Sequence, residues 1–315
     1  MPYDIPVLII AFNRPNVSKR TFEVIRQLKP MYLYIAIDGA RDQVPGEKEL
    51  VKQVMTVYHE IDWPCYSFYR QNPNNLGAEY TVSGAVSWVL SEHEYCVVLE
   101  DDILANPAFF DFAKQMLLKY KDNQSVYQVS AAQFTPMESM KTDYVFSIYG
   151  HTGFGWATWR RAWQRFSMGL NDLDETLSNA ALREQFSCTK AYKSFLSHVK
   201  RMKKEGIINN SWDRCWSYIR IRDNGLSIVP RCNLTQNIGI WGLHASGTVG
   251  YHNFVADEDF TVKIHPEEVA VDFLYDQYHF THYLHHGVFS KAVSKAKHFV
   301  RSLLPLLDSD QTKES

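Results

Sequence analysis

Between residues 6 and 100, short apolar runs alternate with stretches of helical periodicity, and this alternation constrains the fold more than any other feature. "PVLIIAF" (6–12), "YLYIAIDG" (32–39), "CYSFYR" (65–70) and "YCVVLE" (95–100) have the length of strands and are bounded by polar or turn residues. Between them lie "VSKRTFEVIRQL", with Phe22, Ile25 and Leu28 on one face, then "GEKELVKQVMTVYHEI" and "LGAEYTVSGAVSWVLSE". Parallel neighbours need a crossover connection, usually a helix, so the pattern predicts a layered α/β domain with a mostly parallel central sheet. Right-handed crossovers then set helices on both faces.

In such sheets ligands bind beyond the carboxyl ends of the strands. Those ends carry Asn13 and Arg14, then Asp38 and Arg41, then Arg70, Asn72 and Asn75, then Glu100, Asp101 and Asp102. Three adjacent carboxylates after an apolar strand repel one another and add nothing to packing. They make sense around a cation, and oxygen ligands suit Mg2+ or Mn2+. Alternation along a strand puts Glu100 and Asp102 on one face and Asp101 on the other. Neither G-x-G-x-x-G nor G-x-x-x-x-G-K-[ST] occurs, which removes the dinucleotide and P-loop readings.

The second half is less regular. "SVYQVSAAQF" (125–134) reads as a strand, and "GFGWATWRRAWQRF" (153–166) as a loop entering an aromatic helix. The spacing of Trp156, Trp159 and Trp163 suggests one core-facing helical stripe. Residues 179–206 read as a helical pair with a basic end. "SWDRCWSYIRIRDNGL" (211–226) reads as a helix with Ser211 at its N-cap and Asp213 in its first turn, near the positive end of the dipole. "SIVPRCNLTQNIGI" follows as strand and loop. His279, His282, His285 and His286 read as part of a packing helix, since no acid follows as in H-E-x-x-H. Residues 287–307 form a basic amphipathic pattern, with Lys291, Lys295, Lys297 and Arg301 mainly off the apolar stripe, which suits either a terminal helix docked on the body or contact with an anionic membrane surface. The expected division is a main domain over 1–250 and a helical extension over 251–315.

The chain has 315 residues, and its net charge of −2 gives no basic excess for nucleic acid. Five scattered cysteines without a C-x-x-C pair fit a reducing compartment. The N-terminal "MPYDIPVLIIAFNRP" lacks the basic and long apolar regions of a signal peptide, and no apolar run approaches a bilayer span. The expected location is the cytoplasm, with peripheral contact at the inner face of the membrane. The sequons at Asn16, Asn123, Asn209 and Asn233 then read as chance.

The order of motifs resembles that of the GT-A nucleotide-sugar glycosyltransferases, in particular the β-1,2-N-acetylglucosaminyltransferase I family and its bacterial relatives. The matching pieces are "IIAFNRP", "AIDGAR", "VVLEDDILANPAFFDF", "GFGWATWRRAW" and "SWDRCW…LSIVPRCN", spread over roughly residues 5–245. The resemblance implies a GT-A fold and an inverting transfer from a nucleoside-diphosphate sugar, UDP-linked by the family's habit and GlcNAc-like, to a glycan or lipid-linked acceptor. By position, Asn13, Arg14 and Asp38 border the nucleotide. Asp102 holds Mn2+ or Mg2+, and Glu100 and Asp101 face the donor's sugar and ribose. Asp213 is the general base, with Trp212 beside it to stack on a sugar. His244, near "GIWGLHASG", is a candidate second metal ligand, although that stretch departs from the family pattern.

Other classes remain in view. A nucleotidyltransferase carries a Gly-rich signature near its first strand, and "IIAFNRP" lacks one. A glycosidase uses two carboxylates without a metal, so a chelator separates it from a metal-dependent transferase. A non-catalytic nucleotide-sugar or glycan-binding protein on the same fold is the alternative from another class.

Overall fold

The structure is a computed structural model, and it describes residues 2–206, 211–239 and 256–284. His244 and the stretch 287–307 lie outside the described residues, as do His285 and His286.

The chain opens with strand β1 (Val7–Ala11), helix α1 (Pro15–Leu28), β2 (Tyr32–Ile37), α2 (Glu47–Tyr58), β3 (Tyr66–Gln71), α3 (Gly77–Glu92) and β4 (Tyr95–Glu100). Every residue of β1 is buried, as expected of a strand paired on both sides and covered on both faces. Next come β5 (Ile103–Ala105), α4 (Pro107–Lys119), β6 (Val126–Ser130), β7 (Tyr144–Ser147), β8 (Trp156–Trp159) and α5 (Arg160–Trp163). The chain continues through α6 (Leu173–Ser178), α7 (Thr189–Glu205), α8 (Trp212–Arg222), β9 (Leu226–Pro230), β10 (Thr235–Asn237) and α9 (Phe273–His279). Eight strands form one mixed sheet in the order β3-β2-β1-β4-β8-β6-β9-β7, while β5 and β10 pair separately. Helices flank the sheet, as the alternation of the first hundred residues predicts.

The order of the first four strands fixes the helix layers. From β1 the chain steps outward to β2 and β3, then returns past β1 to β4. Right-handed crossovers therefore put α1 and α2 on one face and α3 on the other. Accordingly α1 packs on α2, while α3 packs on α5 and α8.

One segment departs from expectation. Residues 156–159 are not helical but form β8, antiparallel to both β4 and β6. The helical spacing of the three tryptophans arises because β8 ends at Trp159 and the four-residue α5 begins at once. A central slot with a ladder partner on each side favours the extended form of this Trp- and Thr-containing run. The rings do fill the core. Trp156 stacks on Trp212 at 5.6 Å, and Trp163 lies 5.0 Å from Trp216.

The described part of the extension packs on the body. Phe260 meets Phe112 edge-on at 5.7 Å, and Asp276 of α9 accepts a hydrogen bond from the Ile148 backbone N–H beside β7. The described residues contain no helix long and apolar enough to cross a membrane.

Candidate active site

Where strand order reverses, the loops leaving two adjacent strands diverge and open a crevice at their carboxyl ends. Here that point lies between β1 and β4, which pair in parallel with Ile10 opposite Glu100. The crevice is therefore bordered by Arg14 after β1 and by the acidic triplet at the end of β4.

The three acids have different fates. Asp101 turns inward and is buried. Its carboxylate accepts hydrogen bonds from the Arg14 guanidinium and from Ser18 Oγ, while its backbone carbonyl accepts from Thr21 Oγ1 at 2.6 Å. Asp101 thus ties the start of α1 to the end of β4. Both of its oxygens are engaged by donors of α1 and its N-terminal flank. Burial pushes its carboxyl up to about 6, against the opposing pull of Arg14.

Asp102 is paired at 3.1 Å with the second arm of Arg14 and lies nearer the surface. The segment after β10 closes over it. Ile238 N–H donates to the Asp102 carbonyl at 2.8 Å, and a Cβ at Gly239 would lie 2.1 Å from Asp102 Oδ2. A larger residue there would push the carboxylate aside, so the chain leaving β10 brings backbone directly against Asp102.

Glu100 is half-buried and has no hydrogen-bond or ion-pair partner among the described residues. Burial, followed by the charges of Asp102 and Asp101, pushes its carboxyl up to about 8; Asp213 adds in the same direction. The fold therefore carries Asp213, distant in sequence, into the field of the triplet. It does so through α8, whose first turn is held by Trp212 in the tryptophan cluster. Trp212 is buried there, which corrects the expectation of a sugar platform: its ring already packs on Trp156. Ser211 occupies the N-cap position without a capping side-chain bond. The Asp213 carboxylate is half-buried and likewise has no hydrogen-bond or ion-pair partner among the described residues.

Asp38 is also turned inward. It accepts from the backbone N–H groups of Gly39, Leu76 and Gly77 and from the side-chain amides of Asn72 and Asn75. Two of these donors open α3, which has no side-chain cap of its own. A Cβ at Gly39 would fall 2.3 Å from the Asn74 carbonyl carbon, so this loop packs backbone to backbone. Asp38 thus braces the crevice wall, with donors on both of its oxygens.

Sequence reasoning missed Glu47. It is buried and accepts from Asn13 Nδ2 at 2.7 Å and from the Arg41 backbone N–H at 2.7 Å, as well as from the Arg41 guanidinium. Hydrogen bonds from Arg41 hold its carboxyl down to about 2, against its burial. Arg41 in turn lies over the Phe12 ring at 5.6 Å. Phe12, Asn13, Arg41 and Glu47 thus form a linked wall beside Arg14. Nothing in "GEKEL" separates Glu47 from Glu49; the nearby Arg41 was the only available signal.

No family model matches this chain, and no curated protein does. Solved structures similar to it include mannose-1-phosphate geranyltransferase from Thermus thermophilus, at 13% identity and a TM-score of 0.34 over 72% of this chain and 73% of that one. Mouse xyloside xylosyltransferase 1 in its apo form is similar at 11% identity and a TM-score of 0.34, over 69% of this chain and 81% of that one. HddC from Yersinia pseudotuberculosis is similar at 13% identity and a TM-score of 0.32, over 50% of this chain and 77% of that one.

Among the described residues, no three His, Cys, Asp or Glu side chains converge to hold a metal unaided. The donor set still fits a hard dication. The Asp102 carboxylate is paired only with Arg14, and Glu100 and Asp213 have no hydrogen-bond or ion-pair partner among the described residues, so carboxylate oxygens remain available as ligands. Mg2+ commonly binds through one or two carboxylates and completes its shell with water and substrate phosphate.

Proposed function

We propose that this protein is a GT-A-type, inverting glycosyltransferase. It moves a sugar, GlcNAc-like, from a UDP-linked donor to a hydroxyl of a glycan or lipid-linked acceptor. One observation carries the reading: at the switch point of the sheet, an arginine-paired Asp102 stands beside Glu100, which like Asp213 has no hydrogen-bond or ion-pair partner among the described residues, and the charge of Asp213 reaches Glu100.

On this reading Asp102 holds Mn2+ or Mg2+, and His244 is a second candidate ligand. When bound, the metal supplies Lewis-acid neutralisation of the leaving diphosphate. Arg14 adds charge-assisted hydrogen bonds to the same phosphates. Phe12, Asn13 and Arg41 border the base and ribose, and Glu100 faces the transferred sugar. The acceptor oxygen forms a bond to the anomeric carbon from the face opposite the diphosphate. The bond to the diphosphate oxygen breaks, and its electron pair leaves with that group. Asp213 takes the acceptor's proton, a role that requires a carboxylate not already engaged by a stronger donor. The basic amphipathic stretch 287–307 suits an acceptor presented at an anionic membrane surface.

The test is a transfer assay over a panel of glycan and lipid-linked acceptors with UDP-sugars, with Mn2+ and with EDTA. Expected is product of inverted anomeric configuration, lost with EDTA and in Asp213→Asn. Metal-independent cleavage of a glycan without a donor would replace the reading with that of a glycosidase.

A further inference from the structure

The structure carries a second surface, remote from the crevice in strand order. Strand β3 ends the sheet, and five of its six residues are exposed. Tyr66 is 63% exposed and Phe68 40%. Open strand edges invite pairing, and proteins usually blunt them with Lys, Pro or a bulge. β3 has none of these, and its register with β2 is unbroken from Tyr66 to Gln71. Its one charged residue, Arg70, folds back to donate to the Gly84 carbonyl of α3 at 3.3 Å.

The backbone pattern of this edge is specific. Tyr66 N–H donates to the Met31 carbonyl and Asn72 N–H to the Ile37 carbonyl, so even-numbered residues face β2. The amides and carbonyls of Ser67, Tyr69 and Gln71 therefore point away from the sheet, and no partner meets them among the described residues. These three positions are symmetric about Tyr69.

We infer that β3 is the interface of a two-fold homodimer, in which two copies pair antiparallel about Tyr69 and join their sheets into one. In that register Ser67 faces Gln71 of the second copy, Tyr69 faces its equivalent, and each pair exchanges both N–H···O bonds. A register centred on Phe68 would set Gln71 opposite Cys65, which lies outside the strand. The Tyr69 register also sets each Phe68 across from Arg70 of the second copy, whereas a register centred on Arg70 would set two like charges directly opposite. This complementarity of the edge to itself selects a second copy as its occupant.

The test is light scattering on the full chain across a concentration series. The wild type should give twice the 36.6 kDa chain mass. Ser67→Pro and Gln71→Pro each remove an outward N–H and leave the β2 ladder intact, and both should be monomeric with unchanged near-ultraviolet circular dichroism. A Phe68→Cys/Arg70→Cys double variant should form a covalent dimer on mild oxidation, beyond any formed by the wild type, since those positions face each other in the register. A wild type that is monomeric throughout the series overturns the inference. So does a dimer that survives both proline variants and gives no cross-link.

Discussion

At the residue scale, neighbouring carboxylates with one chemistry acquire three behaviours from their surroundings. Asp101 is buried beneath Arg14 and Ser18, Asp102 shares that guanidinium nearer the surface, and Glu100 has no partner among the described residues. Asp101→Ala would leave the Arg14 guanidinium half-paired over a buried gap. The expected cost is about 2–3 kcal/mol, read from urea unfolding. Asp213→Asn removes the proposed base without removing a hydrogen bond or ion pair among the described residues. Its kcat should fall by about 10²–10⁴-fold with donor affinity little changed, a split read from steady-state kinetics beside calorimetric binding. The positions of the acidic triplet at a strand end and of Asp213 at a helix start were legible. The inward turn of Asp101 and Asp38 was not, since alternation along a strand gives a face but not the donors waiting there. Glu47 was hidden altogether, because its importance comes from Asn13 and Arg41 and not from its own sequence surroundings.

At the element scale, short polar anchors decide how helices seat on the sheet. Asp38 holds the first turn of α3 through Leu76 and Gly77 N–H. Asp38→Ala should fray that turn, with faster hydrogen exchange at Leu76 and Gly77 and a stability loss of about 2–4 kcal/mol. Asp276 seats α9 against β7 through Ile148 N–H and Ser147. Burial pushes its carboxyl up to about 7, above the unfolded value near 3.9. The folded state thus favours the protonated acid. Its contribution to stability is full below about pH 4 and is lost as pH rises through about 7. The stability of Asp276→Asn relative to wild type should therefore increase between pH 4 and 8 in parallel urea titrations. A flat difference across that range would rule this out. Elements were readable where burial is simple. β1, β2 and β4 are apolar along nearly their whole length because they lie inside the sheet. β8 was misread as helix because its tryptophans continue into α5 at helical spacing, and the slot that makes it a strand is built by β4 and β6, remote in sequence.

At the scale of the whole molecule, the reversal of strand order between β1 and β4 concentrates the chemistry. It brings Arg14 and the acidic triplet together, while α8, whose Asp213 charge reaches Glu100, packs with α3 on the face opposite α1 and α2. The central claim is that the acids at this crevice serve a metal-bound diphosphate. The most direct measurement is calorimetric titration of UDP-, dTDP- and GDP-sugars with Mn2+ and with EDTA, on wild type and Asp102→Ala. The account predicts binding of one nucleotide series with Mn2+, at least about tenfold weaker with EDTA, a loss of about 1.4 kcal/mol or more, and similarly weakened in Asp102→Ala. Equal binding with and without metal, or no binding of any nucleotide sugar to the folded wild type, would contradict it.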